Sequence, residues 1–189
     1  MSETPNPNYV DSDTLTGEMR PIRRCVISLG SNLGDRLSKL QGAVDTLSDT
    51  PEVWLTAVSS VYETAPVDAP EGSEPFLNAI VLFDTTLPAH TLLDRAHAVE
   101  DAFGRERDGV PNSPRTLDVD LIVVGERRAD DDDLKLPHPR AHERGFVLVP
   151  WAEIEPDAEI PGVGPVAELA EKVGSSGLLL RDDLVLETS

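Results

Sequence analysis

Two aspartates spaced two residues apart, Asp118 and Asp120, follow closely on three arginines in the segment GRERDGVPNSPRTLDVDLIVVG, residues 104–125. The run 116–124 predicts a β-strand, in which residues two apart leave the same face. The two carboxylates would then lie about 6.5–7 Å apart along the chain. Side-chain rotamers can bring them onto two metal ions about 3.5–4 Å apart, a spacing that serves in-line phosphoryl transfer. Carboxylate oxygens suit Mg²⁺, which takes one or two carboxylates together with substrate phosphates and water.

The neighbouring cations favour a polyphosphate as the ligand of this segment. Arg105, Arg107 and Arg115 would hold the phosphates. The alternative is that the two aspartates only solvate the end of a strand. Two like charges on one strand face repel each other unless a cation joins them. The arginines and the otherwise apolar strand therefore favour a metal and phosphate site.

A second polar group follows in the segment LPHPRAHERGF. His138 lies between two prolines, which fix the backbone and exclude a helix there. Arg144 comes six residues later, and a histidine with an arginine in an acidic chain suggests contacts to phosphate. The alternative is that His138 is a structural histidine. The other three histidines, His90, His97 and His142, are predicted to be ordinary surface or helix residues.

Composition and charge limit the classes of function. At 189 residues the chain predicts one domain, residues 23–189, after a polar and acidic leader, 1–22, that we expect to be disordered. The net charge of −19 argues against a nucleic-acid partner and against anionic membrane surfaces. The single cysteine, Cys25, excludes an internal disulfide. No apolar run reaches the length of a membrane span, so a cytoplasmic location is expected.

The hydrophobic pattern predicts the elements that position these residues. CVISLG reads as a first strand, and Leu33, Leu37, Leu40, Val44 and Leu47 recur at the spacing of a helical face. VWLTAVSSVYET and FLNAIVLFDTT read as the second and third strands, a second helix begins at residues 87–88, and the aspartate strand is the fourth. The order β-α-β-β-α-β predicts a ferredoxin-like α+β core, an antiparallel sheet with both helices on one face. A C-terminal extension follows, with a short helix at 165–173 and a closing strand or edge segment in LLLRDDLVL.

Five segments together resemble the 6-hydroxymethyl-7,8-dihydropterin pyrophosphokinase family of folate biosynthesis. They are SLGSNLGDR, SSVYETAPV, FLNA, GRERDGVPNSPRTLDVDLIVVG and LPHPRAHERGFVLVP, in the family's order between about residues 25 and 156. The resemblance implies a ferredoxin-like fold, and transfer of pyrophosphate from ATP to the pterin hydroxymethyl group with release of AMP.

 The same resemblance implies two bound Mg²⁺ ions, a monomer, and ATP and the dihydropterin as the small-molecule substrates.

Particular residues match the family's functional positions. The resemblance implies that Asp118 and Asp120 hold both Mg²⁺ ions. It implies phosphate or nucleotide contacts for a second set, which comprises Glu100, Arg105, Arg107, Arg115, Leu121, His138 and Arg144. It implies pterin contacts for a third set, which comprises Thr64, Ala65, Pro66, Val67, Phe76, Asn78 and Phe146. Phe146 would stack on the ring, and Leu121 would help to form the adenine pocket.

The chain departs from the family pattern at two places. Some members have an Arg-Trp pair just before G-P-R, and the Trp closes over the pterin, whereas this chain has Pro111-Asn112 followed by Ser113. A glutamine that is common on the second helix is His97 here. Two other hypotheses stay open. A nucleotidyl- or phosphotransferase acting on a different alcohol would keep the metal and the arginines. A non-catalytic nucleotide-binding module would keep only the fold.

Overall fold

A computed structural model describes residues 13, 20–65, 74–103 and 117–188 of the chain. The strands are β1 (Arg23–Ser31), β2 (Val53–Val58), β3 (Tyr62–Thr64), β4 (Phe76–Thr85), β5 (Asp118–Val124), β6 (Ala129–Asp130), β7 (Lys135–Leu136), β8 (Glu159–Ile160), β9 (Gly164–Pro165) and β10 (Leu178–Leu180). The helices are α1 (Arg36–Ser48), α2 (Ala89–Phe103), α3 (Gly145–Ile154) and α4 (Val166–Val173). Among these described residues, no helix is both long enough and apolar enough to cross a bilayer.

The main sheet is built around β1, in which every residue from Cys25 to Ser31 is buried. Such a strand needs partners on both edges, and β1 pairs antiparallel with β4 on one side and β5 on the other. The order across the sheet is β10-β3-β4-β1-β5, and β2 also pairs with β4. The predicted βαββαβ order and antiparallel sheet are therefore confirmed.

The helices α1 and α2 cover one face of the sheet, as predicted. Their apolar residues meet the alternate strand residues Leu77, Ala79, Val81 and Phe83 of β4 in the larger hydrophobic core. The prediction was wrong for Leu33, which precedes the helix and is 37% exposed. The helix begins only at Arg36, because Asp35 caps it by accepting a hydrogen bond from the Ser38 backbone N–H at 3.1 Å.

The opposite face carries a second core under α3 and α4. The short helix predicted at 165–173 is confirmed by α4, whereas α3 was not predicted. Its sequence GFVLVPWAEI is apolar on every side and contains Pro150, so it lacks the periodicity that marks a helix. Buried Trp151 and Leu148 hold it against the sheet. Eight of the predicted site residues meet at the end of this face that α3 leaves uncovered.

Two strand predictions need correction. The segment VWLTAVSSVYET is two strands, because Ser59 leaves the ladder and its hydroxyl accepts a hydrogen bond from the Ile80 backbone N–H at 2.8 Å. In β5 a bulge opposite Val26 and Ile27 inserts an extra residue. Val123 consequently joins the core under α3 and Val124 joins the core under α1 and α2, the reverse of strict alternation.

Of the predicted leader, the structure describes residues 13 and 20–22. The Asp13 carboxylate accepts hydrogen bonds from Arg23 and, at 2.9 Å, from Arg127 Nε. Its side chain is 10% exposed. This contact ties one leader residue to the end of the sheet that lies away from Asp118. The disorder of the remaining leader stays a prediction.

Candidate active site

A cleft of about 820 Å³ lies at the open end of the second face. Eight residues predicted from the sequence line it, namely Thr64, Ala65, Phe76, Asn78, Asp118, Asp120, Arg144 and Phe146. They come from β3, β4, β5 and the start of α3, so the fold brings together residues up to 82 positions apart in the chain, from 64 to 146. One cleft thus joins the predicted metal residues to the predicted pterin residues.

The floor of the cleft is a row of residues that are direct partners across three strands. Gly30 of β1 pairs with Asn78 of β4 on one side and with Asp118 of β5 on the other. Neighbouring strands lie about 4.8 Å apart, so Asn78 and Asp118 are separated by about 10 Å. A Cβ at Gly30 would lie 3.3 Å from Asn78 Oδ1 and 3.6 Å from Phe76 Cδ1. The missing side chain therefore leaves room for a ligand between the amide and the carboxylate.

Asp120 lies one pleat further along the same face and pairs with Ser28 of β1. Its side chain is 40% exposed, and its Oδ2 lies 3.8 Å from Arg144 Nη1. Among the described residues, no group of three or more His, Cys, Asp and Glu could hold a metal by itself. Two partly exposed carboxylates on one face fit Mg²⁺, which completes its shell with substrate phosphates and water.

The amide of Asn78 is only 3% exposed and is oriented by β3. Its Nδ2 donates to Thr64 Oγ1 at 2.9 Å and to the Tyr62 carbonyl at 3.4 Å. Both donor hydrogens are used on β3, and the carbonyl Oδ1 is then directed towards Gly30 and the cleft. This arrangement presents an acceptor to the N–H group of a ligand.

Phe146 and Arg144 form the opposite wall, at the start of α3. The Arg144 guanidinium carbon lies 5.5 Å from the centroid of the Phe146 ring, within the range of a cation–π contact. Phe146 is partly buried against the second core and also lines the cleft. The contact holds the cation beside Asp120, and the part of Phe146 that lines the cleft can meet a ligand.

His138 lies beside the cleft and is not one of its lining residues. Its backbone N–H donates to the Ile122 carbonyl at 2.8 Å, and its Nδ1 accepts from the Arg140 backbone N–H at 3.2 Å. Burial lowers the pKa of His138; Asp120 opposes this shift, and Arg144 and Arg140 add to it. The neutral ring therefore carries its proton on Nε2, as a hydrogen-bond donor.

We expect the imidazole of His138 to titrate below its ordinary pKa of 6.5. Between the folded pKa and 6.5 the unfolded chain binds more protons, so this residue's contribution to stability is complete above 6.5 and is lost as the pH falls. Following the ring C–H signals by NMR, with His138→Gln for assignment, gives the titration midpoint. A midpoint above 6.5 would contradict the neutral donor.

Glu100 was predicted to lie near the nucleotide, and the structure shows its carboxylate against β5. It is 7% exposed, and its Oε1 accepts from the Val119 backbone N–H at 2.9 Å. Val119 lies between Asp118 and Asp120 on the outer strand of the sheet. Glu100 thus provides the hydrogen-bond acceptor for a backbone N–H of β5, the edge strand that carries the two aspartates.

Glu100→Ala is expected to lower the free energy of unfolding by about 1–3 kcal/mol, because it leaves the Val119 N–H buried without its acceptor. Glu100→Gln keeps a carbonyl acceptor in place and should lose less. Chemical denaturation of both variants and the wild type measures the difference. Equal stability of the wild type and Glu100→Ala would show that the hydrogen bond from Val119 to Glu100 does not hold β5 in place.

Two of the described positions that the sequence singled out, Leu121 and His97, do not line the cleft. Leu121 is 5% exposed and packs into the core under α1 and α2, on the face opposite the aspartates. His97 lies on α2. Five predicted contact residues lie outside the described part of the chain, namely Pro66, Val67, Arg105, Arg107 and Arg115. The Pro111-Asn112 departure lies outside it as well.

Sequence reasoning missed several lining residues, namely Ser28, Gly30, Arg140, Glu143, Gly145, Val173, Gly174, Ser176, Gly177 and Leu178. Gly30 and Arg140 lie inside segments that had been singled out, SLGSNLGDR and LPHPRAHERGF, and the strand register identifies Gly30 as the neighbour of both Asn78 and Asp118. Residues 174–177, GSSG, carry no such signal, because small and polar residues between two predicted elements are typical of a surface turn.

Comparison with known proteins gives one family. The model of the 7,8-dihydro-6-hydroxymethylpterin-pyrophosphokinase (HPPK) family matches residues 26–156. Two similar proteins are 2-amino-4-hydroxy-6-hydroxymethyldihydropteridine pyrophosphokinases. The Methylorubrum extorquens protein is 41% identical over 83% of this chain and 98% of its own length. The Mycobacterium leprae protein is 46% identical over 76% of this chain and 78% of its own.

Solved structures of HPPK-DHPS proteins have a similar fold. The wild-type Plasmodium falciparum HPPK-DHPS with pteroate superposes with a TM-score of 0.62 at 11% identity, over 80% of this chain. An HPPK-DHPS in complex with substrates gives a TM-score of 0.63, also at 11% identity, over 82% of this chain. This chain spans 44% of the length of each of these proteins, and the likeness supports the fold.

Proposed function

This chain belongs to the 7,8-dihydro-6-hydroxymethylpterin-pyrophosphokinase family and transfers pyrophosphate to hydroxymethyldihydropterin in folate biosynthesis, and we propose that ATP with two Mg²⁺ ions is the donor. The products are then the pterin diphosphate and AMP. The row Asn78, Gly30 and Asp118 carries the proposal, because it sets a ring-binding amide about 10 Å from the first metal-binding carboxylate.

The pterin occupies the end of the cleft formed by β3, β4 and the start of α3. Asn78 Oδ1 accepts from an N–H group of the ring, since its amide nitrogen is already bonded to β3. Thr64 and Ala65 line this end of the cleft, and they are proposed to contact the ring edge together with Pro66 and Val67. Phe146 stacks on the ring, with Phe76 nearby.

The triphosphate extends over Asp118 and Asp120. Arg144 reaches this end of the cleft, 3.8 Å from Asp120, and His138 offers an Nε2–H donor beside it. Arg105, Arg107 and Arg115 supply the other phosphate contacts in this proposal. In a chain of net charge −19 these cations offset a field that would otherwise repel ATP.

Asp118 and Asp120 are the proposed ligands of the two Mg²⁺ ions. Bound there, the metals would neutralise charge on the triphosphate and lower the pKa of the pterin hydroxyl. The protein's own share is to align the hydroxyl with the phosphate and to keep water out of the line of attack. Arg144 is positioned to stabilise the added charge of the transition state.

A panel of acceptors tests the proposed substrates. We expect ATP consumption with 6-hydroxymethyl-7,8-dihydropterin and Mg²⁺, and none with 6-methyl-7,8-dihydropterin, which has the same ring and no hydroxyl. EDTA should stop the reaction, and added Mg²⁺ should restore it. Comparable rates with benzyl alcohol or glycerol would instead favour a transferase for a different alcohol. Nucleotide binding without turnover under any of these conditions would favour a binding module.

Three further expectations complete the proposal. A single pyrophosphokinase domain occupies residues 23–189, the enzyme acts as a monomer, and it works in the cytoplasm. The first is supported by the joint packing of the C-terminal elements on the main sheet. Sedimentation of the purified full chain tests the second.

A further inference from the structure

The last part of the chain, residues 174–188, crosses the open edge of the sheet and is called the C-terminal strap here. It leaves α4 through Gly174, forms β10 on the edge of β3, and ends against α1. All of it lies beyond residue 156, where the match to the family model ends. None of the functions proposed above uses it.

The first turn of the strap forms part of the cleft wall. Gly174, Ser176, Gly177 and Leu178 line the same cleft as Asn78 and Phe146. Gly174 and Gly177 have φ values of 81° and 76°, which let the chain turn sharply towards β3. The strap also lies close to α3, because a Cβ at Gly145 would lie 3.1 Å from the Gly174 carbonyl oxygen. The wall thus closes the gap between α3 and β3.

An ion-pair cluster fixes the strap to β3. Arg181 Nη1 donates to Glu63 Oε2 at 2.7 Å, and Arg36 Nη1 lies 3.3 Å from the same oxygen. Arg36 also donates to the Pro75 carbonyl at 2.8 Å, at the start of β4. The carboxylate of Glu63 therefore joins the strap, α1 and the β3–β4 edge.

The two faces of β3 have different roles: one face anchors the strap, and the other faces the cleft. Leu178 pairs with Thr64, and Leu179 pairs with Glu63. Thr64 accepts from Asn78 on the cleft side, whereas Glu63 meets the arginines on the other side. β10 is only three residues long, and Leu179 and Leu180 are half-exposed, so side-chain packing holds this strand weakly. Arg181 therefore makes the main side-chain contact that joins the strap to β3 near the cleft.

Further anchors fix the far end of the strap. Leu186 is 8% exposed in the larger core. The Gln41 amide exchanges two hydrogen bonds of 2.8 Å with the Glu187 backbone. The strap is therefore held at both ends, with its first turn facing the ligand.

We propose that the C-terminal strap is the outer wall of the pterin site and that Arg181 is a positioning residue, which holds β3 and the strap together around the ring. The inference rests on the proposed function, since it assigns the pterin to this end of the cleft. It adds a specificity element from a part of the chain outside the family match.

Thiol labelling tests the wall directly. Cys25, the natural cysteine, is 0% exposed, so Ser176→Cys introduces one accessible thiol. Ser175→Cys is the matched control, since Ser175 is adjacent and exposed and does not line the cleft. With Mg²⁺ and α,β-methylene ATP present, the dihydropterin should slow labelling at 176 about fivefold or more, because a pocket buries most of its ligand. Labelling at 175 should change less than twofold.

Calorimetry of pterin binding to the wild type under the same conditions distinguishes failure of the proposed function from failure of the strap proposal. Failure of the pterin to bind would overturn the proposed function and the strap proposal with it. Pterin binding together with unchanged labelling at 176 would overturn the strap proposal alone.

Kinetics test the positioning role. Arg181→Met should raise the KM for the pterin about fivefold, with kcat and the KM for ATP within about twofold, because it removes the charged hydrogen bond that fixes the strap to β3 behind the ring site. Arg181→Lys should restore part of the loss. The control is Arg24→Met, which also breaks ion pairs, to Asp84 and Glu155, but about 20 Å from Gly30 along β1. An unchanged pterin KM in Arg181→Met, or an equal rise in Arg24→Met, would overturn the role of Arg181.

Discussion

Replacing Asp120 with asparagine is expected to lower kcat about a thousandfold or more, because it removes charge from the proposed metal site where the transition state needs it. Asp118→Asn should lower kcat by a similar factor. Neither change should unfold the protein. The Asp120 side chain is 40% exposed, and the repulsion relieved by removing one of two like charges on a strand face offsets the lost attraction to Arg144, 3.8 Å away. Thermal stability without ligand should therefore stay equal or rise slightly.

Rates of AMP formation and thermal melting of the same samples measure both effects. Asp45→Asn is a matched control, since Asp45 is an exposed carboxylate on α1 that accepts from Gln41. It should keep wild-type turnover. A kcat within tenfold of the wild type in either the Asp118 or the Asp120 variant would remove the two-metal assignment.

Gly30→Val is expected to raise the KM for the pterin about a hundredfold while the chain still folds. A Cβ at this position already lies 3.3 Å from Asn78 Oδ1, and the two further methyl groups would extend into the space between Asn78 and Asp118. The backbone of β1 accepts a β-branched residue, because valine favours strands. The loss should therefore fall on binding.

Gly30→Ala provides a graded comparison, since its Cβ requires a shift of only a few tenths of an ångström from Asn78. Its pterin KM should lie between those of the wild type and Gly30→Val. Calorimetry with the dihydropterin and circular dichroism of each variant separate lost binding from lost structure. Wild-type pterin affinity in Gly30→Val would show that the ring does not lie over this row.

The sequence predicts the cleft well where periodicity governs position. Alternation in β4 correctly assigns Asn78 and Ile80 to one face, and alternation at the start of β5 places Asp118 and Asp120 together. The resemblance to the family then selects which polar residues matter. Both kinds of information concern short segments, whose geometry the local sequence determines.

The features that were missed depend on contacts distant in the chain. The bulge in β5 depends on its register with β1, and no local residue type announces it. The helix α3 forms because the sheet buries it, despite Pro150 and an apolar pattern without helical period. The C-terminal strap is fixed by Arg181 and Glu63, which are 118 residues apart.

Product analysis by phosphorus NMR tests the central claim most directly. The wild-type protein, given ATP, Mg²⁺ and 6-hydroxymethyl-7,8-dihydropterin, should form AMP and the pterin diphosphate in equal amounts. Formation of ADP with a pterin monophosphate, or of free pyrophosphate with no modified pterin, would contradict pyrophosphate transfer in this cleft.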